Sequence, residues 1–219
     1  ADPPPCNTLS ASSLAGFPKP HVETIKGPRL AKRAAGGLVQ QPTARVAAAA
    51  VVCSKEALGR FSASRAVKVH ACELGTGSER APDQFDQHVC RLTSQRAYNK
   101  AGVGPGDMSV AEPHDASAFA EIQHTENLGF CDFGEGGPLV ESGATRLGGR
   151  IPVNPSGGLE SKGHPIGATG LAQICELGFQ VRGECGDRQV DDVDFAIAEN
   201  GGGFHGVEEA AVCITILGK

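Results

Sequence analysis

The 219-residue chain has no tryptophan, one methionine and one tyrosine. Aromatic residues are scarce near its motifs, so a flat pocket for a ring ligand is not indicated. It also lacks an excess of positive charge: the formal net charge is -5 and the sequence pI about 5.8. Neither nucleic acid nor an anionic membrane surface is therefore expected as a partner. No apolar run approaches the roughly 20 residues that a membrane span needs. The first residues, ADPPPCNTLS, have neither a basic stretch nor an apolar core, and so do not read as a secretory signal. There is no phosphate-cradling P-loop and no internal repeat. No two cysteines form a CxxC pair, so no metal site is expected.

There are eight cysteines. Cys53 and Cys213 stand in apolar runs and Cys175 in a helical pattern, places that suit small buried hydrophobes rather than disulfides. That usage points to a reducing compartment, the cytoplasm. Hydrophobic residues make up 40% of the chain, enough for a core, and there are 30 glycines. Glycine at that level, without low complexity, implies many tight turns and close backbone approaches.

Residues 1–42 scatter proline and glycine with little periodicity and read as an irregular segment, with one short helix at Leu30–Ala35. Its basic residues Lys19, Lys26, Arg29, Lys32 and Arg33 read as a solvated loop. Residues 43–219 are organised. Strands are expected at RVAAAAVVCS (from Arg45), AVKVHACELG (from Ala66), MSVAEPHD (from Met108), VDFAIAEN (from Val193) and AAVCITIL (to Leu217). Helices are expected at KEALGRF, Gln84–Ala101, Ala116–Leu128 and Pro165–Arg182, with a long glycine-rich loop over Phe130–Arg150. Alternating strands and helices give an α/β fold, a mixed sheet covered by helices.

The chemistry concentrates in NPSGGLESKGHPIGATG, Asn154–Gly170. Pro165 suits the first position of a helix, which places His164 at the N-cap. The partial positive charge of a helix N-terminus disfavours an imidazolium. His164 is thus expected to be neutral and able to act as a general base beside a developing anion. Ile166, Ile174 and Leu177 are expected as apolar anchors, and Gly157 and Gly158 let the backbone pass close to a ligand.

This stretch closely resembles the histidine motif of the thiolase superfamily. AEPHDASAFAEIQHTENLGFC resembles the strand, loop and helix of sterol-carrier-protein-type thiolases, which carry an HD-x-F element. PTARVAAAAVVCSKEAL resembles the strand that opens the C-terminal half of a thiolase, and AENGGGFHGVEEAAVCITIL stands where the last catalytic loop and strand belong. The resemblance runs from about Thr43 to Lys219 and implies one thiolase half, a layered α/β fold. It implies that His164 activates a nucleophilic cysteine and that His114 supports an oxyanion site.

Two departures stand out. Where thiolases carry Cys-x-Gly, this chain reads Asn200-Gly201-Gly202. Asn200 can hydrogen-bond an enolate oxygen but exchanges no proton at neutral pH. Gly202 and Gly203 can present backbone N–H groups, and His205 is a candidate acid/base near the substrate. Second, the nucleophilic cysteine of thiolases belongs to the other half. Only Cys6, in CNTLSASSLAG, shows a faint likeness to it. Three functions stay open. The first is an acyl-CoA thiolase or acyltransferase with a CoA thioester as substrate and no permanent cofactor. The second is a retro-aldol lyase for β-hydroxyacyl-CoA, working with a zinc-ribbon/OB-fold partner. The third is a non-catalytic subunit. A lone half also implies a homodimer or an obligate partner.

Overall fold

The computed structural model describes residues 47–61 and 63–219. Four strands form one sheet in the order β1-β4-β3-β2: β1 is Lys68–Thr76, β2 Met108–Glu112, β3 Phe195–Gly202 and β4 Ala211–Gly218. β4 is antiparallel to both β1 and β3, whereas β2 runs parallel to β3. The helices are α1 (Val89–Ala101), α2 (Ala118–Asn127), α3 (Gly136–Glu141), α4 (Gly158–Lys162) and α5 (Thr169–Arg182).

Alternation along the strands explains the layering. Ile197, Ile214 and Ile216 join the core cluster that holds Val89, Ala97 and Tyr98 of α1. Ala196, Ala198 and Leu217 join the cluster that holds Leu177 and Val181 of α5. Successive side chains point to opposite faces, so the central strands are apolar on both sides because helices cover both. α1 starts at His88, whose Nδ1 accepts from the Cys90 N–H at 3.2 Å. It stops at Gly102, in the left-handed conformation at φ 73° that a helix C-terminus favours.

One expected strand is absent. Residues 47–54 form no strand, Cys53 is exposed, and Val51 and Val52 are 80% and 84% exposed. An apolar run becomes a strand only where a neighbour pairs with its N–H and C=O groups. Among the described residues the four-stranded sheet does not extend to it. The helix expected at KEALGRF is reduced to a 3-10 turn at Leu58–Arg60. Cys213 and Cys175 are half-buried rather than core residues. The long loop after Phe130 contains α3. The segment 1–42, with Cys6, the Leu30–Ala35 helix and the basic residues noted above, lies outside the described residues.

Candidate functional site

β2 and β3 are parallel, and their C-terminal ends bring Pro113–Asp115 and Asn200–Gly202 side by side. Openings of this kind are where α/β sheets bind ligands. The glycine-rich motif is fastened there from β2 outward. The Ala111 N–H donates to the Pro152 carbonyl at 3.0 Å, and the Asn154 N–H donates to the Ala111 carbonyl at 2.8 Å. Buried Glu112 then accepts from the Ser156 N–H (3.1 Å) and hydroxyl (2.7 Å). Asp115 accepts from the N–H groups of Leu159 (2.7 Å) and Glu160 (3.2 Å) at the start of α4. A Cβ on Gly158 would stand 2.1 Å from Asp115 Oδ2, and the residue has φ 58°. Glycine is required here by space and by backbone at once.

The fastened loop delivers His164 to His114. Their rings meet edge to face, centroids 4.8 Å apart at 80°. His164 is not an N-cap: α5 begins at Thr169, and Pro165 opens the turn before it, its carbonyl accepting from the Ala168 and Thr169 N–H groups. Its neutrality therefore comes from burial, which lowers its pKa, rather than from a helix end. His114 is pushed down to about 4, by burial first and then by the His164 and His124 charges.

A hydrogen-bond chain reaches one nitrogen of the His164 ring. The Thr169 hydroxyl donates to the Pro165 carbonyl at 3.2 Å. The same hydroxyl lies 2.7 Å from Nδ1 of His164, and when it donates to the carbonyl it accepts from Nδ1–H. That arrangement leaves the lone pair on Nε2, the state a general base needs.

Asn200 is held by a second chain. Gln173 of α5 donates through Nε2 to the carbonyls of Glu112 (2.9 Å) and Glu199 (2.8 Å). Its Oε1 accepts from Asn200 Nδ2 at 2.9 Å. A Cβ on Gly170 would lie 3.4 Å from the Asn200 amide, so α5 passes close to it. Gly202 ends β3 and is exposed, and Gly203 is left-handed at φ 69°. Gly157 is left-handed at φ 93°. His205 is exposed and bonds Glu79 at 3.0 Å. Ile166, expected as an anchor, is 84% exposed, whereas Leu177 is buried.

The chain from Thr76 to Gly218 matches the family model described as thiolase C-terminal domain-like. The chain belongs to the thiolase C-terminal domain-like family. Sterol carrier protein 2 of Rattus norvegicus is 42% identical to this thiolase-like chain over 169 residues, 73% of it and 30% of the rat protein. The acetyl-CoA acetyltransferase of Methanothermobacter thermautotrophicus is 39% identical over 170 residues, 75% of the chain and 44% of that enzyme. The benzoylsuccinyl-CoA thiolase subunit BbsB of Thauera aromatica is 36% identical over 149 residues, 67% of the chain and 39% of the subunit. The chain thus spans less than half the length of these relatives. Among solved structures, the Ltp2-ChsH2(DUF35) aldolase superposes with a TM-score of 0.57 at 24% identity, covering 69% of this chain and 39% of that one. That likeness is one of fold.

Sequence reasoning missed the supports of this candidate site: Thr169, Gln173, Asp115 and Glu199. Glu199 was the most legible of them, an acid inside an apolar strand. Fully buried, it accepts from the His114 N–H at 2.8 Å, and burial, partly opposed by that bond, raises its pKa to about 7. Behind His114 it joins buried Cys90 and His124. A thiol sulfur, a ring nitrogen and a carboxylate oxygen of the three lie within 4.8 Å of one another.

Proposed function

We propose that this site performs thiolase-type chemistry, making or breaking a carbon–carbon bond next to a CoA thioester. One observation carries the reading: two imidazoles from separate elements, both with lowered pKa, stand edge to face at the ends of two parallel strands, one with Nδ1 against the Thr169 hydroxyl. The relatives named acetyl-CoA acetyltransferase and benzoylsuccinyl-CoA thiolase support it. In the forward acyl transfer, a cysteine thiol gives its proton to Nε2 of His164, and the thiolate attacks the acyl carbon. The C–S bond to CoA breaks, and the CoA thiolate leaves with a proton. His114, Asn200 and the Gly202 N–H face the thioester oxygen as it gains charge. The cysteine is assigned to Cys6 or to a partner subunit.

A retro-aldol reading of the same site is favoured by one feature: Asn200-Gly201-Gly202 carries no cysteine to exchange the α-proton. In that reaction His164 removes the β-hydroxyl proton, the Cα–Cβ bond breaks, and the enolate is reprotonated, with no acyl-cysteine. A partner chain belongs to this alternative, in keeping with the aldolase of similar fold, which is named for two proteins, Ltp2 and ChsH2(DUF35).

Brief incubation with acetyl-CoA, followed by intact-mass measurement, separates the two. A stoichiometric acetyl adduct on one cysteine is expected for acyl transfer. Bound CoA with no adduct, together with cleavage of a β-hydroxyacyl-CoA, would transfer the assignment to the lyase. His164→Ala should lower either activity by about 10²–10⁴-fold; full activity in that variant would defeat both.

A further inference from the structure

We infer that Cys90, His124 and Glu199 form a closed binding site for one zinc ion behind His114. The three residues come from α1, α2 and β3 and are 0%, 2% and 0% exposed. Their donor atoms converge within 4.8 Å. His124 Nε2 and Glu199 Oε2 are 3.4 Å apart, already the roughly 3.3–3.6 Å between neighbouring ligands that bonds of about 2.0–2.3 Å impose in a tetrahedron.

The same side chains are short of hydrogen bonds. His124 Nδ1, Glu199 Oε1 and Glu209 Oε2 are buried without a hydrogen-bond partner among the described residues. Unpaired polar atoms in a dry interior are costly; these three are the far atoms of the groups whose His124 Nε2, Glu199 Oε2 and Glu209 Oε1 approach one another, so the same three side chains are short of partners. Glu209, with Oε1 3.9 Å from His124 Nε2, supplies the fourth ligand. His88 Nε2 stands 3.6 Å from Glu209 Oε2 and orients that carboxylate from outside.

The donor set selects the ion. A thiolate with an imidazole and carboxylates is a zinc set; magnesium and calcium take oxygen ligands. One thiolate and one carboxylate would cancel the two charges of the ion, and Glu209 would leave a single negative charge shared with the His88 ring. Binding expels the Cys90 proton, and the metal then holds the thiolate against the burial that otherwise keeps it protonated. With four protein ligands the site is structural. It joins α1, α2 and β3 and fixes Glu199, the acceptor of the His114 N–H. Cysteine spacing could not reveal it, because only one ligand is a cysteine and each lies on a different element. The inference is independent of the proposed reaction.

The test uses the full 219-residue chain, refolded from urea with Co(II) and then desalted. About one Co(II) per chain is expected, with a thiolate-to-metal band in the near ultraviolet and the strong visible bands of tetrahedral cobalt, both bleached by Zn(II). Cys90→Ala should lose the near-ultraviolet band, while Cys72→Ala and Cys213→Ala keep it. No retained cobalt in the unmodified chain, or a band that survives in Cys90→Ala, overturns the proposal. Should circular dichroism show Cys90→Ala unfolded, His124→Gln is read instead. Affinity lowered at least about tenfold supports the site; unchanged affinity removes it.

Discussion

At His164 a hydroxyl decides which nitrogen can work. The Thr169 hydroxyl bridges the Pro165 carbonyl and Nδ1 of the ring, and by donating to the carbonyl it takes up Nδ1–H and leaves Nε2 as the base. Thr169→Val removes that acceptor and frees the tautomer. We expect kcat to fall roughly tenfold, a fraction of the 10²–10⁴ that a positioned base supplies, with Thr169→Ser restoring it. A valine variant as fast as the unmodified chain would show that the tautomer does not matter. The pH dependence follows from burial. A depressed pKa means that His164 is neutral at and above its ordinary value of 6.5 and loses its lone pair only as pH falls further. The acidic limb of kcat/KM should therefore lie below 6.5; a limb above it would mean that another group is titrating. His164 and His114 were legible from the sequence, because glycine, proline and aspartate around a histidine are a local signal. Thr169 was not, since a threonine in a first helical turn looks like any other.

The motif loop works as an element because acids on and beyond β2 hold it. Glu112 and Asp115 take up backbone donors of the loop and of α4, and this leaves no room for a side chain at Gly158. Gly158→Ala must both shift Asp115 and hold φ 58°. It should cost roughly 1–3 kcal/mol in urea unfolding. Gly106→Ala, whose added methyl would meet nothing within 4 Å, should stay within about 0.5 kcal/mol. Equal losses in the two variants would show that the tight approach at Gly158 carries no cost. The sequence placed the helix too early, at Pro165. A proline fits the first position of a helix, but it equally opens the turn that here precedes α5.

For the whole molecule, burial of acids sets the pH response. Asp115 is raised from 3.8 to about 8 by burial first and then by Glu121, with its backbone donors opposing. A raised carboxyl pKa means that the folded state holds a proton which the unfolded chain releases. That contribution is complete below 3.8 and is lost as pH rises through about 8. Stability should thus fall between about pH 4 and pH 8, and Asp115→Asn should flatten that slope in urea titrations. An identical slope in the variant would remove Asp115 as its source. The sheet itself depends on the central isoleucines. Ile216→Ala, at a fully buried position between two helical layers, should cost about 2–5 kcal/mol.

The order of strands and helices, the α/β class, the family and both histidines were determined by the sequence itself. They rest on periodicity and on residues that act through near neighbours along the chain. Tertiary structure decided the rest. RVAAAAVVCS has every local mark of a strand, yet its described part stays exposed because pairing partners are a property of the sheet, not of the segment. Glu199, His124 and Cys90 meet only because α1, α2 and β3 pack together; nothing in their spacing announces it. The Thr169 hydroxyl likewise meets Nδ1 of His164 only when the turn before α5 closes.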